Sequence, residues 1–234
     1  MKKYLLIALS ALLFIAVGCA GTEQAPEETP KPKPEPTPEP IAEPAPEPAP
    51  APESDEPIPD TITGKIEMDD GGVITFELYP NLAPESVKNF VSLARQGFYD
   101  GLKFHRIISG FMVQGGCPDG SGGGNPGYSI LGEFADNGVD NNLNHNRGVM
   151  SMARGSDFNS AGSQFFICHG DPLFLDGGYA AFGMVTDGMD VVDMIANTPN
   201  NGDNGSVAPA DMPVIKAISI NGNFYMDEPQ KLSR

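Results

Sequence analysis

The clearest pattern in the chain is alternation. "TGKIEMDDGGVITFELYP" reads as two strands joined at Asp69 to Gly72, with Val73 to Tyr79 alternating in character. The period then changes. In "NLAPESVKNFVSLARQGFY", Val87, Phe90, Val91 and Ala94 fall on one helical stripe. Pro84 suits the first turn of that helix and Gly97 its end. Short strands are predicted around Lys103–Ile108, Met112–Gln114, Val149–Ala153, Ser163–Cys168 and Ala180–Val185. "MDVVDMIAN" predicts a second, short helix and "PVIKAISI" a last strand. Many short strands, Gly-rich turns and two helices predict a mainly β fold: a closed antiparallel barrel with helices over its ends.

One strand carries a finer statement. In "GSQFFICHG", Phe165 and Ile167 share one face, and Gln164, Phe166 and Cys168 share the other. An amide beside a phenylalanine suits a half-exposed edge. It also suits a groove wall that needs apolar surface next to a hydrogen-bonding group.

The first 60 residues follow neither period. Residues 1–19 read as a targeting signal, with Lys2 and Lys3 leading a 13-residue run from Leu5 to Val17 broken only by Ser10. That is short of the roughly 20 apolar residues of a membrane span. The run ends in "AVGC", which resembles the lipobox of prokaryotic lipoproteins. That resemblance implies lipid on Cys19, a membrane anchor and a location outside the cytoplasm. An ordinary cleaved signal is the alternative. Residues 20–60 hold 14 of the 23 prolines, mostly alternating with Glu, Ala, Lys or Thr. Such a tract cannot offset its ordering entropy and is expected to be a disordered linker. In an extended polyproline form it would reach on the order of 100 Å. A docking tract for proline-binding partners is the competing reading.

Residues 61–234 remain for one folded domain, expected to act as a monomer. They carry 20 Asp and Glu against 10 Lys and Arg, and the chain's net charge is -17. That balance argues against a nucleic-acid partner, which needs clustered positive charge. The domain's two cysteines, Cys117 and Cys168, could pair outside the cytoplasm or be two small buried residues that never meet. Their spacing fits no zinc site.

The chemistry gathers around "FHRIISGFMVQGG", "GVMSMAR", "GSQFFIC" and "FLDGGYAAFG", in that order. Together these resemble the cyclophilins, peptidyl-prolyl cis-trans isomerases, from about Thr61 to about Gly222. The resemblance implies an eight-stranded barrel capped by two helices. It implies Arg106 as the catalytic residue, and Phe111, Met112, Gln114, Gly122, Ala153, Gln164, Phe166 and Leu175 as substrate-binding. Three positions depart from the family's common residues: Phe174 for tryptophan, Tyr179 for histidine and Arg154 for asparagine. Loss of the indole N–H removes a donor that family members use toward cyclosporin. Arg154 bears on which residue is preferred before proline, with acidic residues favoured.

These residue types fit the reaction. Resonance sets a barrier of about 18–20 kcal/mol to peptide rotation. At X-Pro both isomers are accessible but exchange slowly. Halfway round, the proline nitrogen recovers a lone pair. An N–H aimed at it stabilises the twisted state over the planar one. Guanidinium is always charged and offers several fixed donors. Phe111, Met112, Phe166 and Leu175 would hold the proline ring and Gln114 the substrate backbone. Neither nucleophile, metal nor cofactor is needed. For Arg106 the plain alternative is a surface arginine paired with a carboxylate. For the whole domain, it is a proline-peptide binding module or scaffold with little turnover. His105 is expected in a structural hydrogen-bonding role, and His145 and His169 as solvated or turn residues.

Overall fold

The computed structural model describes residues 58–202 and 204–233. The predicted signal, Cys19 and all of the linker before residue 58 lie outside the described residues. Strands β1 (Ile62–Met68) and β2 (Val73–Leu78) form the expected hairpin, with Ile66 opposite Ile74. Alternate side chains of β1 are buried, as the period-two pattern requires.

Helix α1 (Pro84–Arg95) buries Val87, Phe90, Val91 and Ala94, the stripe read from the sequence. Its C-terminus is closed by Gly97 at φ 68, whose N–H donates to Ala94 O while Phe98 N–H donates to Leu93 O. Those two bonds satisfy carbonyls the helix leaves open, in a backbone conformation that favours glycine. The N-terminus is capped from a distance. The buried Glu133 carboxylate accepts from Glu85 N, Ser86 N and Ser86 Oγ at 2.7–2.8 Å. A negative group there also meets the positive end of the helix dipole.

The remaining strands are β3 (Arg106–Ile108), β4 (Met112–Gly115), β5 (Val149–Met152), β6 (Phe165–Cys168), β7 (Ala181–Asp187) and β8 (Ile215–Ile220), with α2 (Met189–Ala196) between the last two. Together with the first hairpin they make one eight-stranded sheet in the order β3-β4-β6-β5-β7-β2-β1-β8, every pair antiparallel. The sheet curls into a half-barrel but does not close by strand pairing, which corrects the expected closed barrel. β3 is three residues long, and its outer edge is already taken by the segment after α2. Ile107 N donates to Gly205 O at 2.7 Å and Val207 N to His105 O at 3.0 Å. β8 reaches across only ahead of β3, where Phe104 N donates to Pro213 O and Ile215 N to Leu102 O.

The core lies between α1 and the strands. Phe90 meets Phe76, Tyr99, Phe165 and Phe182 at ring-centroid distances between 5.2 and 5.8 Å. The faces of β6 divide as its alternation predicts. Phe165 and Ile167 join this core, while Phe166 and Cys168 join a second cluster with Met112, Val149, Leu175 and Ala181. Cys117 and Cys168 are both free and buried, and they sit apart in the fold. Burial, reinforced by Asp176 and Asp171, pushes the Cys168 thiol up to about 12.

Candidate active site

Register builds the site. Arg106 on β3 lies opposite Gln114 on β4, Gln114 opposite Phe166 on β6, and Phe166 opposite Ser151 on β5. Residues opposite one another across antiparallel strands share a face. The sheet therefore lines up a guanidinium, an amide and a phenyl ring in one row on the face of the second apolar cluster. Two positions along, Met112 stands opposite Ile108 and Cys168 and supplies a buried apolar neighbour.

A hollow of about 90 Å³ opens over this row, lined by Arg106, Phe111, Met112, Gln114, Ala153, Arg154, Phe166, Leu175 and Tyr179. Its volume and the apolar side chains of Phe111, Met112, Phe166 and Leu175 fit a small ring. A second hollow of about 240 Å³ adjoins it and shares Gln114, Ala153 and Arg154, with Gly122 and Gln164 on its own side. So nine of the residues read from the sequence meet in one hollow and two more in the next. Phe174 is the exception. It is 78% exposed and lines neither hollow, but its ring packs against Phe111 in a tilted arrangement at 5.4 Å. It extends the apolar rim rather than the pocket wall.

Polar side chains across the site form a chain. Arg106 Nη1 donates to Gln114 Oε1 at 3.2 Å. Gln114 Nε2 donates to Gln164 Oε1 at 3.0 Å, and Gln164 Nε2 donates to the carbonyls of Gly122 and Gly124 at 2.9 and 2.8 Å. Gln114 thus holds Arg106 as well as facing the hollow. On its other side Arg106 donates from Nε to Asn204 O at 2.9 Å and from Nη2 to Asn204 Oδ1 at 2.8 Å. Among the described residues no carboxylate pairs with Arg106. Partial burial lowers its pKa, with Tyr179 opposing, but a guanidinium stays charged at any physiological pH.

The apolar wall is braced from behind. His145 is 1% exposed and stacks on Phe166 at 6.0 Å. Its Nδ1 bonds Asp176 Oδ1 at 2.8 Å and its Nε2 bonds Ser151 Oγ at 3.0 Å. Burial holds its pKa below the ordinary histidine value, although Asp176 pulls the other way. The ring is therefore neutral near pH 7, with Nδ1–H donating to Asp176 and Nε2 accepting from Ser151. This corrects the expectation of a solvated or turn residue. His169 does serve a turn, accepting from Gly110 N at 2.8 Å and bonding Asp193 at 2.9 Å. His105 departs from its expected role. Both ring nitrogens are buried and make no hydrogen bond of good geometry among the described residues, although the Lys103 backbone and the Gln164 side chain lie close enough to oppose the lowering of its pKa by burial.

Arg154 sits where the two hollows meet. Its guanidinium lies over Tyr179 at 4.6 Å and over Phe134 and Phe158 at 5.1 Å, with Nε donating to Gly178 O and Nη1 to Gly155 O. Such cation–π contacts fix it more firmly than a free surface arginine. Sequence reasoning missed Asn204, His145 and Asp176 as members of the site. "DNGS" signals a turn, but nothing in its spacing links it to Arg106.

A fixed guanidinium beside a small hollow with one apolar wall, flanked by amides able to hold a peptide, fits a peptidyl-prolyl isomerase. The comparisons with known proteins agree. The sequence model of the family described as "Cyclophilin type peptidyl-prolyl cis-trans isomerase/CLD" matches residues 63–220. Peptidyl-prolyl cis-trans isomerase B of Bacillus subtilis is 47% identical over 161 residues, covering 68% of this chain and 99% of that protein. A peptidyl-prolyl cis-trans isomerase of Helicobacter pylori is 49% identical over 127 residues, covering 53% of this chain and 74% of that protein. Among solved structures, a cyclophilin type isomerase of Cryptosporidium parvum superposes with a TM-score of 0.61 at 32% identity, covering 70% of this chain and 99% of that one. The same protein in the presence of the dipeptide Ala-Pro gives a TM-score of 0.60 at 33% identity. The chain belongs to the cyclophilin-type peptidyl-prolyl cis-trans isomerases.

Proposed function

We propose that this isomerase rotates X-Pro bonds in exported or cell-surface polypeptides, held at a membrane by lipid on Cys19 and displayed beyond it by the proline-rich linker. Arg106 is the catalytic residue. It donates to the proline nitrogen in the twisted state, an interaction that belongs to the transition state. Phe111, Met112, Phe166 and Leu175 seat the proline ring, with Tyr179 closing the end. Gln114 positions the guanidinium and, with Ala153, meets the substrate backbone. Gly122 and Gln164 border the space for residues before proline, and Arg154 places positive charge there. Phe174 offers an exposed ring to the substrate at the rim. The domain works as a monomer without cofactor.

The observation that carries this reading is the row Arg106, Gln114 and Phe166 across three adjacent strands. A protease-coupled assay on a short X-Pro peptide tests it. Catalysed isomerisation by the wild type is expected, and binding without turnover would favour a proline-peptide scaffold instead. The anchor has its own test. Cys19→Ala should abolish incorporation of labelled fatty acid, and a soluble wild-type protein starting well after Cys19 would refute the tether.

A further inference from the structure

The open seam of the half-barrel bears on catalysis. Because β3 and β8 do not pair, the segment after α2 fills the edge of β3, and this brings Asn204 against Arg106. We infer that Asn204 is a positioning residue for the isomerisation: it sets the plane of the Arg106 guanidinium so that its remaining N–H groups face the proline nitrogen. The inference rests on Arg106 as the donor and deepens that reading.

Three features support it. First, the contact is two-pronged, with the main-chain O taking Nε–H at 2.9 Å and the side-chain Oδ1 taking Nη2–H at 2.8 Å. Two acceptors on one edge of a planar group fix its rotation, where one would leave it free to swing. Gln114 Oε1 holds Nη1 from the opposite side. Of the five guanidinium N–H groups, the second on Nη1 meets only the weak acceptor Met112 Sδ, 3.8 Å away on the groove side, and the second on Nη2 has no partner among the described residues.

Second, the clamp needs an unusual backbone. Asn204 has φ 55 and is the one non-glycine residue with positive φ among the described residues. Asparagine tolerates this left-handed conformation better than most residues. The next residue must be glycine, because a Cβ on Gly205 would lie 2.4 Å from Ile107 O. Only that close approach allows the loop to press on β3.

Third, the loop is pinned on both sides of the clamp. Asn200 Nδ2 donates to Ile107 O at 3.0 Å and Asn201 N to Ser206 O at 3.0 Å. The hold on Arg106 is thus made by a tied turn rather than a free one.

The test is Asn204→Gly, which keeps the left-handed backbone and the main-chain acceptor but removes Oδ1. Exchange of a cis/trans Ala-Pro peptide at saturating enzyme should slow about tenfold, the equivalent of about 1.4 kcal/mol of barrier. The peptide Kd should stay within about twofold and the thermal transition should remain native. In an Arg106→Ala background, Asn204→Gly should cause no further loss, since the clamp acts only through the guanidinium. A wild-type rate for Asn204→Gly, or an equal loss in both backgrounds, overturns the inference. If Arg106→Ala alone keeps the wild-type rate, the failure lies with Arg106 as donor. A second readout needs no variant: in the 15N spectrum of the wild-type protein, the Arg106 Nη2 protons should be resolved and slow to rotate. A single averaged guanidinium signal would refute the clamp.

Discussion

Substitution at Phe166 is expected to separate binding from rate. Phe166 is 4% exposed, packs with Met112 and Leu175, and lies against His145 and Tyr179 at ring distances of 6.0 and 6.1 Å. Truncation to alanine removes a buried ring, a change that costs about 3–5 kcal/mol of folding stability. A domain of this kind has roughly 5–15 kcal/mol in all, so Phe166→Ala should fold with a lowered midpoint. Phe166→Leu keeps most of the volume and serves as the safer variant. For binding, a proline ring covering about 50 Å² of this wall is worth about 1.3 kcal/mol, or roughly tenfold in Kd. The rate at saturating enzyme should fall by less than about threefold, because the ring contributes equally to planar and twisted states. Titration of an Ala-Pro peptide, with exchange measured by NMR at each point, yields both quantities. A Kd unchanged within error, or a saturated rate reduced by about a hundredfold, would refute the assignment of Phe166 as pocket wall.

Two further expectations concern the groove's support and its rim. Burial lowers the pKa of both His145 and His105, so protonating them opposes folding. Their contribution is present above the ordinary histidine pKa and is lost as pH falls through the depressed one. The thermal midpoint should therefore drop as pH falls below the ordinary histidine range, and His145→Gln should flatten that dependence. A midpoint that rises on acidification through this window would contradict the neutral, buried assignment. Cyclosporin should inhibit weakly, because Phe174 cannot donate as an indole does. Restoring one such bond in Phe174→Trp should tighten inhibition by about 5-fold or more, and an unmodified protein already inhibited as tightly as Trp-bearing relatives would sink the argument.

Much of this was legible in the sequence because it depends on local period and turn chemistry. The Asp69 to Gly72 turn, the α1 stripe and the two faces of β6 follow from neighbours in the chain. So does the row through Arg106, Gln114 and Phe166, once strand pairing aligns it. The supports of the site come from far away in sequence. Asn204 reaches Arg106 only because β3 is too short to pair with β8, and no pattern of residues announces an unpaired edge. Glu133 caps a helix that begins 48 residues earlier than itself, measured to Glu85. His145 is expected from the sequence to be a solvated or turn residue, yet Asp176 and Ser151 draw it into the wall behind Phe166. The sequence marks Arg154 as a charge near the groove, but that its guanidinium lies over Tyr179, Phe134 and Phe158 depends on rings the fold brings together.

The central claim is that Arg106 accelerates rotation and does not merely hold a proline peptide. Fixed donors aimed at developing charge are typically worth on the order of 10²–10³ in rate. Arg106→Ala removes a half-buried side chain whose partners can turn to water, so the thermal transition should stay native. Arg106→Lys should recover little, since an ammonium cannot present the planar fork that Asn204 and Gln114 hold. The most direct measurement is cis/trans exchange of an X-Pro peptide, followed by NMR at saturating enzyme, for wild type and Arg106→Ala side by side. The account predicts a loss on the order of 10²–10³ in the exchange rate with little change in Kd. Exchange at the wild-type rate in Arg106→Ala would contradict it.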